Sequence, residues 1–80
     1  MQTEKIEITT EFIKLDQLLK FSGLAMTGAD AKDMILGEIV KVNGEVCTMR
    51  GKKIRGGDRV TVEFEDETAE LTVEQTPSIG

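Results

Sequence analysis

Asn43-Gly44 stands between the apolar run Ile39-Val40-Lys41-Val42 and the return Glu45-Val46-Cys47, and no other stretch constrains the fold as tightly. Both central positions of a two-residue type I′ turn need positive φ, which Asn and Gly adopt at low cost. The spacing therefore predicts a β-hairpin in the middle of the chain, and the flanks must supply elements that cover it.

The period of the apolar residues separates those flanks. Lys5-Ile6-Glu7-Ile8-Thr9 alternates, the pattern of a half-buried strand. From Lys14 the period lengthens: Leu15, Leu18 and Leu19 form one helical stripe that closes around Ser22-Gly23. A second helix is expected at Thr27, whose hydroxyl can cap it, with Asp30 three residues on as a looser capping box. Ala31, Met34 and Ile35 make its apolar stripe, Lys32 and Asp33 point away, and Gly37 stands where a helix stops. Beyond the hairpin, Gly56-Gly57-Asp58 reads as a turn into a strand over Arg59–Phe64. Glu65-Asp66-Glu67 reads as a charged turn, Ala69–Val73 as a last strand, and the chain from Pro77 as frayed. The class is α+β: a short helical hairpin packed on a small, mostly antiparallel sheet, in a single domain over 1–80.

Eighty residues support only a thin core, filled by Leu, Ile, Val and Met because there are three Phe and no Trp or Tyr. The single Cys47 closes no internal disulfide and suits a reducing compartment. On or beside a strand, it reads as a half-buried hydrophobe. No apolar run approaches the roughly 18 residues of a membrane span, and the polar start MQTEKIEITT is no signal peptide. A soluble, cytoplasmic protein is expected.

Catalysis finds little support. With no histidine, triads and His-based metal sites are excluded. Gly56-Gly57 lacks the spacing and the following Lys-Ser/Thr of a phosphate loop. Glu65-Asp66-Glu67 could bind a divalent cation, but an exposed turn that deters strand-edge pairing explains it more simply. Neither cofactor nor metal is expected.

Charge is divided along the chain. The net charge is −5, yet residues 63–80 carry six acids and no base. Five of the ten bases lie in RGKKIRGGDRV, over 50–60, against Asp58 alone. Exposed charges separated by more than about 8–10 Å are screened at physiological salt, so this local excess outweighs the total. Alone, such a run is most simply solvated surface.

The ordered set KLDQLLKFSGLAMTGADAKDMILGEIVKVNG, followed by RGKKIRGGDRVTVE, resembles the S-four RNA-binding domain, named after protein four of the small ribosomal subunit. The resemblance runs from about Ile13 to Glu63 and leaves an acidic strand and tail over 64–80. It rests on Lys14-Leu15-Asp16, the apolar helix, Thr27-Gly28, Ala31-Lys32, the step from Gly37 to Gly44, and Gly57-Asp58-Arg59-Val60. Each piece is common; their order and spacing are specific. Arg50-Gly51-Lys52-Lys53 makes the chain most similar to small stand-alone bacterial members.

The resemblance implies the alpha-L fold and non-catalytic binding of structured RNA, ribosomal or transfer RNA, with the ribosome or a subunit as the larger partner. The binding face would be the helical hairpin and the loop after the first β-hairpin. Lys14 fits the basic residue that typically opens the family's first helix. Where the family often has Ser-Arg at the start of the second helix, this chain has Thr27-Gly28, so one phosphate contact is missing and the weight shifts to Lys32 and residues 50–55.

Elementary chemistry supports these positions. A helix N-terminus attracts phosphate, Gly28 leaves the amides around it open, and Lys32 follows one turn on the same face. Arg50, Lys52, Lys53 and Arg55 are interleaved with glycines and not aromatics, which suits phosphates of folded RNA better than stacked single strands. Arg offers bidentate contacts and Lys a point charge. Ile54 is the expected buried anchor of this loop, and Asp58 serves its turn. The competing reading is a protein-interaction module that docks a basic partner through the acidic 63–74 segment. A ubiquitin-like sulfur carrier fits less well, because the chain ends Ser78-Ile79-Gly80 and not in Gly-Gly.

Overall fold

The computed structural model describes residues 2–76, so the segment from Pro77, read above as frayed, lies outside the described residues. The elements are β1 (Gln2–Ile8), β2 (Ile13–Lys14), α1 (Leu15–Phe21), α2 (Gly28–Leu36), β3 (Val40–Val42), β4 (Glu45–Val46), β5 (Lys53–Ile54), β6 (Arg59–Glu63) and β7 (Thr68–Gln75). Five strands form one sheet in the order β1-β7-β6-β3-β4, and β2 and β5 form a separate two-stranded ribbon. The expected α+β class is observed, and the sheet is antiparallel except between β1 and β7.

The Asn43-Gly44 turn forms as its chemistry requires, with φ of 52° and 88°. It pairs Val42 with Glu45 and Lys41 with Val46. Strand alternation then sends Val40, Val42, Val60, Val62, Ala69, Leu71 and Val73 to one face, where all are buried. Leu15, Leu18 and Leu19 of α1 and Ala31 and Ile35 of α2 are buried with them, so the helices cover that face. The opposite face carries Lys5, Lys41, Arg59, Glu63, Glu70 and Glu74, each in strand register with solvent-facing neighbours.

Helix ends follow local chemistry. Gly23, just past α1, takes φ 85°, and the Ala25 N–H reaches back to the Leu19 carbonyl at 3.0 Å, closing the helix. The Thr27 hydroxyl accepts from the Asp30 N–H at 3.1 Å, capping α2. At the C-terminus of α2, however, Gly37 has φ −75°, and it is Glu38 that turns left-handed, at φ 61°. A Cβ on Gly37 would meet the Asp33 carbonyl at 3.1 Å. Gly37 therefore ends the helix where the sequence places the stop, packed close on the Asp33 carbonyl, and the left-handed residue follows it.

The basic segment is more ordered than a loop. Ile13 pairs with Ile54 and Lys14 with Lys53, and Ile54 is fully buried, the anchor expected from sequence. The first strand and the last are longer than expected, and each extends beyond the hairpin-centred core to close the sheet in parallel.

Candidate RNA interface

The N-terminus of α1 is held by the basic segment itself. The Leu15 N–H donates to the Lys52 carbonyl at 2.9 Å and the Asp16 N–H to the Arg50 carbonyl at 3.1 Å. These two bonds satisfy amides that a helix otherwise leaves open. They also fix Arg50 and Lys52 beside Lys14, while the β2–β5 ribbon sets Lys14 opposite Lys53. Four of the expected site residues, Lys14, Arg50, Lys52 and Lys53, are thus brought together, and all four are exposed. The Lys53 ammonium lies 4.9 Å from the centre of the Phe12 ring, a cation–π contact that orients it.

Arg55 is placed by two interlocked turns. Asp58 accepts from the Arg55 N–H at 2.8 Å and from Asn43 Nδ2 at 3.1 Å, while Asn43 Oδ1 accepts from the Arg59 N–H at 3.0 Å. Asp58 therefore serves the turn, as its position suggests, and joins it to the hairpin fifteen residues earlier. Gly56 is confined by β7: a Cβ there would lie 2.8 Å from Gln75 Cβ and 2.9 Å from the Gln75 nitrogen.

Thr27, Gly28 and Lys32 form a second group. All three are exposed, and a Cβ on Gly28 would meet nothing within 4 Å. The Gly28 and Ala29 amides, at the first positions of α2, have no bond among the described residues. Asp30 already stands in the first turn, where it complements the helix dipole. This group is linked to the first through α1, whose seven residues span about 10 Å. Lys20, exposed in the last turn of α1, lies along that link. Its place opposite the Leu15-Leu18-Leu19 stripe marks it as surface in the sequence, but nothing there marks it as part of the site.

The ion pairs sort the bases by face. Lys5–Glu74 at 2.9 Å, Lys41–Glu63 at 2.9 Å and Arg59–Glu70 at 3.9 Å all lie on the sheet face away from the helices. The Lys5 ammonium is held above its ordinary pKa by its hydrogen bond to Glu74, with the Glu74 charge adding to it. Exposed pairs such as these add little stability, but they engage the bases of the outer face. The other seven of the ten bases form no ion pair among the described residues. They are Lys20 and all six basic residues expected at the site.

The S4 domain model matches residues 6–72, which adds the last three residues of β1 and most of β7 to the 13–63 span of the sequence resemblance. The chain belongs to the S4 domain family. It is 40% identical over 58 residues to the probable ribosome maturation protein RlbA of Bacillus subtilis (strain 168), covering 72% of this chain and 82% of that protein. It also superposes on heat shock protein 15 of Vibrio cholerae, known from a trimeric structure, with a TM-score of 0.71 and 22% identity over 88% of this chain and 72% of that one. That second likeness is one of fold. Within the S4 domain of this chain, no helix is long and apolar enough to cross a membrane among the described residues.

Proposed function

We propose that this S4 domain is a non-catalytic binder of structured RNA, ribosomal or transfer RNA, working in the cytoplasm as one domain. It grips backbone phosphates with Lys14, Arg50, Lys52, Lys53 and Arg55 around the N-terminus of α1. Thr27, Gly28 and Lys32 receive a further phosphate at the start of α2. The observation that carries this reading is the division of charge. Three bases are paired on the outer sheet face, and the rest, on β2, the helices and the 50–55 segment, form no ion pair among the described residues. Unpaired cations that converge on one face attract a polyanion whatever the net charge of the protein. Kinship with a probable ribosome maturation protein favours a ribosomal RNA, on the ribosome or on a subunit under assembly.

Docking of a basic protein through 63–74 is less well supported, because Glu63, Glu70 and Glu74 already have cationic partners within the chain. The test compares the wild type with a Lys52→Glu, Lys53→Glu, Arg55→Glu variant for retention of total cellular RNA at two salt concentrations. The wild type should retain RNA at low salt and the folded variant should not. Equal retention by both would sink the proposal.

A further inference from the structure

A groove of about 500 Å3 lies between the β3–β4 hairpin and the 48–55 segment. Val46, Cys47 and Met49 are among its apolar lining residues, and Glu45, Lys52 and Arg55 line it with them. Val46 and Met49 are 48% and 63% exposed, unlike the aliphatic residues of the neighbouring strands. Other groups lining the groove are engaged elsewhere: Asp58 holds Asn43 and the Arg55 amide, and the Lys53 ammonium lies over Phe12. Lys52, Arg55 and Glu45 form no ion pair among the described residues.

Exposed apolar side chains lining one groove together with two unengaged cations do not match a fully paired helix, which presents phosphates, sugars and base edges while its base faces stay stacked inside. They match a nucleotide turned out of the stack, which offers an apolar face and a charged phosphate together. We propose that this groove receives one unstacked nucleotide of the bound RNA. Its base lies against Val46, Cys47 and Met49, and its phosphate lies between Lys52 and Arg55. Glu45 accepts hydrogen bonds from base amino or imino groups. The inference rests on the RNA-binding reading and names a feature the RNA must carry, an unpaired nucleotide within a structured element.

The test uses two RNA hairpins that differ only by a single-nucleotide bulge. Affinity is measured by fluorescence anisotropy, and the rate of Cys47 modification by a maleimide is followed with each RNA bound. The bulged hairpin should bind about tenfold tighter, the scale of roughly 55 Å2 of apolar surface removed from water. It should also slow Cys47 modification severalfold, while the paired hairpin should not. A Val46→Ser, Met49→Ser variant changes exposed residues only, so its fold, checked by circular dichroism, should persist. It should lose most of the preference for the bulge and keep the affinity for the paired hairpin. Equal affinities with Cys47 equally reactive in both complexes would overturn this inference and leave RNA binding standing. Failure to bind either hairpin, or any cellular RNA, would remove the RNA reading and this inference with it.

Discussion

Gly56→Ala isolates the packing that places the basic segment. A Cβ at this position would lie 2.8 Å from Gln75 Cβ and 2.9 Å from the Gln75 backbone nitrogen. The backbone atom cannot swing aside as a flexible side-chain end would, so the turn and β7 must part by several tenths of an ångström. That separation strains the Gly57 N–H bond to the Val73 carbonyl at 2.8 Å and the Val73 N–H bond to the Asp58 carbonyl at 3.0 Å. Overpacking costs about 1–3 kcal/mol, and each weakened bond up to about 1 kcal/mol. We expect a loss of about 2 kcal/mol, against a total of roughly 4–12 kcal/mol for a domain of this size. For so small a domain this lowers Tm by roughly 8–16 °C. Gly51→Ala is the control, since a Cβ there meets nothing within 4 Å. Its Tm should stay close to that of the wild type. Thermal unfolding followed by circular dichroism reads both. A Gly56→Ala protein melting within 2 °C of wild type would refute the claim that β7 confines the turn.

Other substitutions probe separate features. Gly28→Arg restores a cation at the open start of α2, where a side chain meets no obstacle. RNA affinity in anisotropy titrations should rise by about fivefold or more, the scale of one charge-assisted phosphate contact. Glu38→Gly relieves a left-handed residue at φ 61°. After allowing for the greater freedom of glycine in the unfolded chain, urea unfolding should show a gain of roughly 0.5–1 kcal/mol.

The parts of this molecule legible in the sequence are those fixed by local chemistry. Asn43-Gly44 specifies its hairpin, Thr27 its cap, and the leucine stripe of α1 its buried face, because each needs only neighbours within a few residues. The β2–β5 ribbon is not legible, because two-residue strands have no period to detect and their partners are 39 and 41 residues apart in the chain. The parallel pairing of β1 with β7 is likewise set by closure of the sheet and not by a turn. Gly37 marks the stop of α2, while the left-handed turn falls on Glu38, which no glycine signals in the sequence. For the site, the clustering of bases over 50–55 was visible, but the neutralisation of Lys5, Lys41 and Arg59 was not. That depends on strand register, which brings Glu74, Glu63 and Glu70 beside them. Lys20 is not legible as a site residue, because one lysine on a helix carries no pattern of its own.

The most direct test of the division of charge is the salt dependence of binding to a structured RNA. Each phosphate neutralised on a duplex contributes about −0.9 to the slope of log K against log salt concentration. Four to six contacts from the unpaired bases would give a slope of about −4 to −5. In the Lys52→Glu, Lys53→Glu, Arg55→Glu variant the slope should become shallower by about 2–3. Lys41→Glu, on the outer sheet face, should leave it unchanged. A wild-type slope near zero, or an equal flattening by Lys41→Glu, would contradict the account.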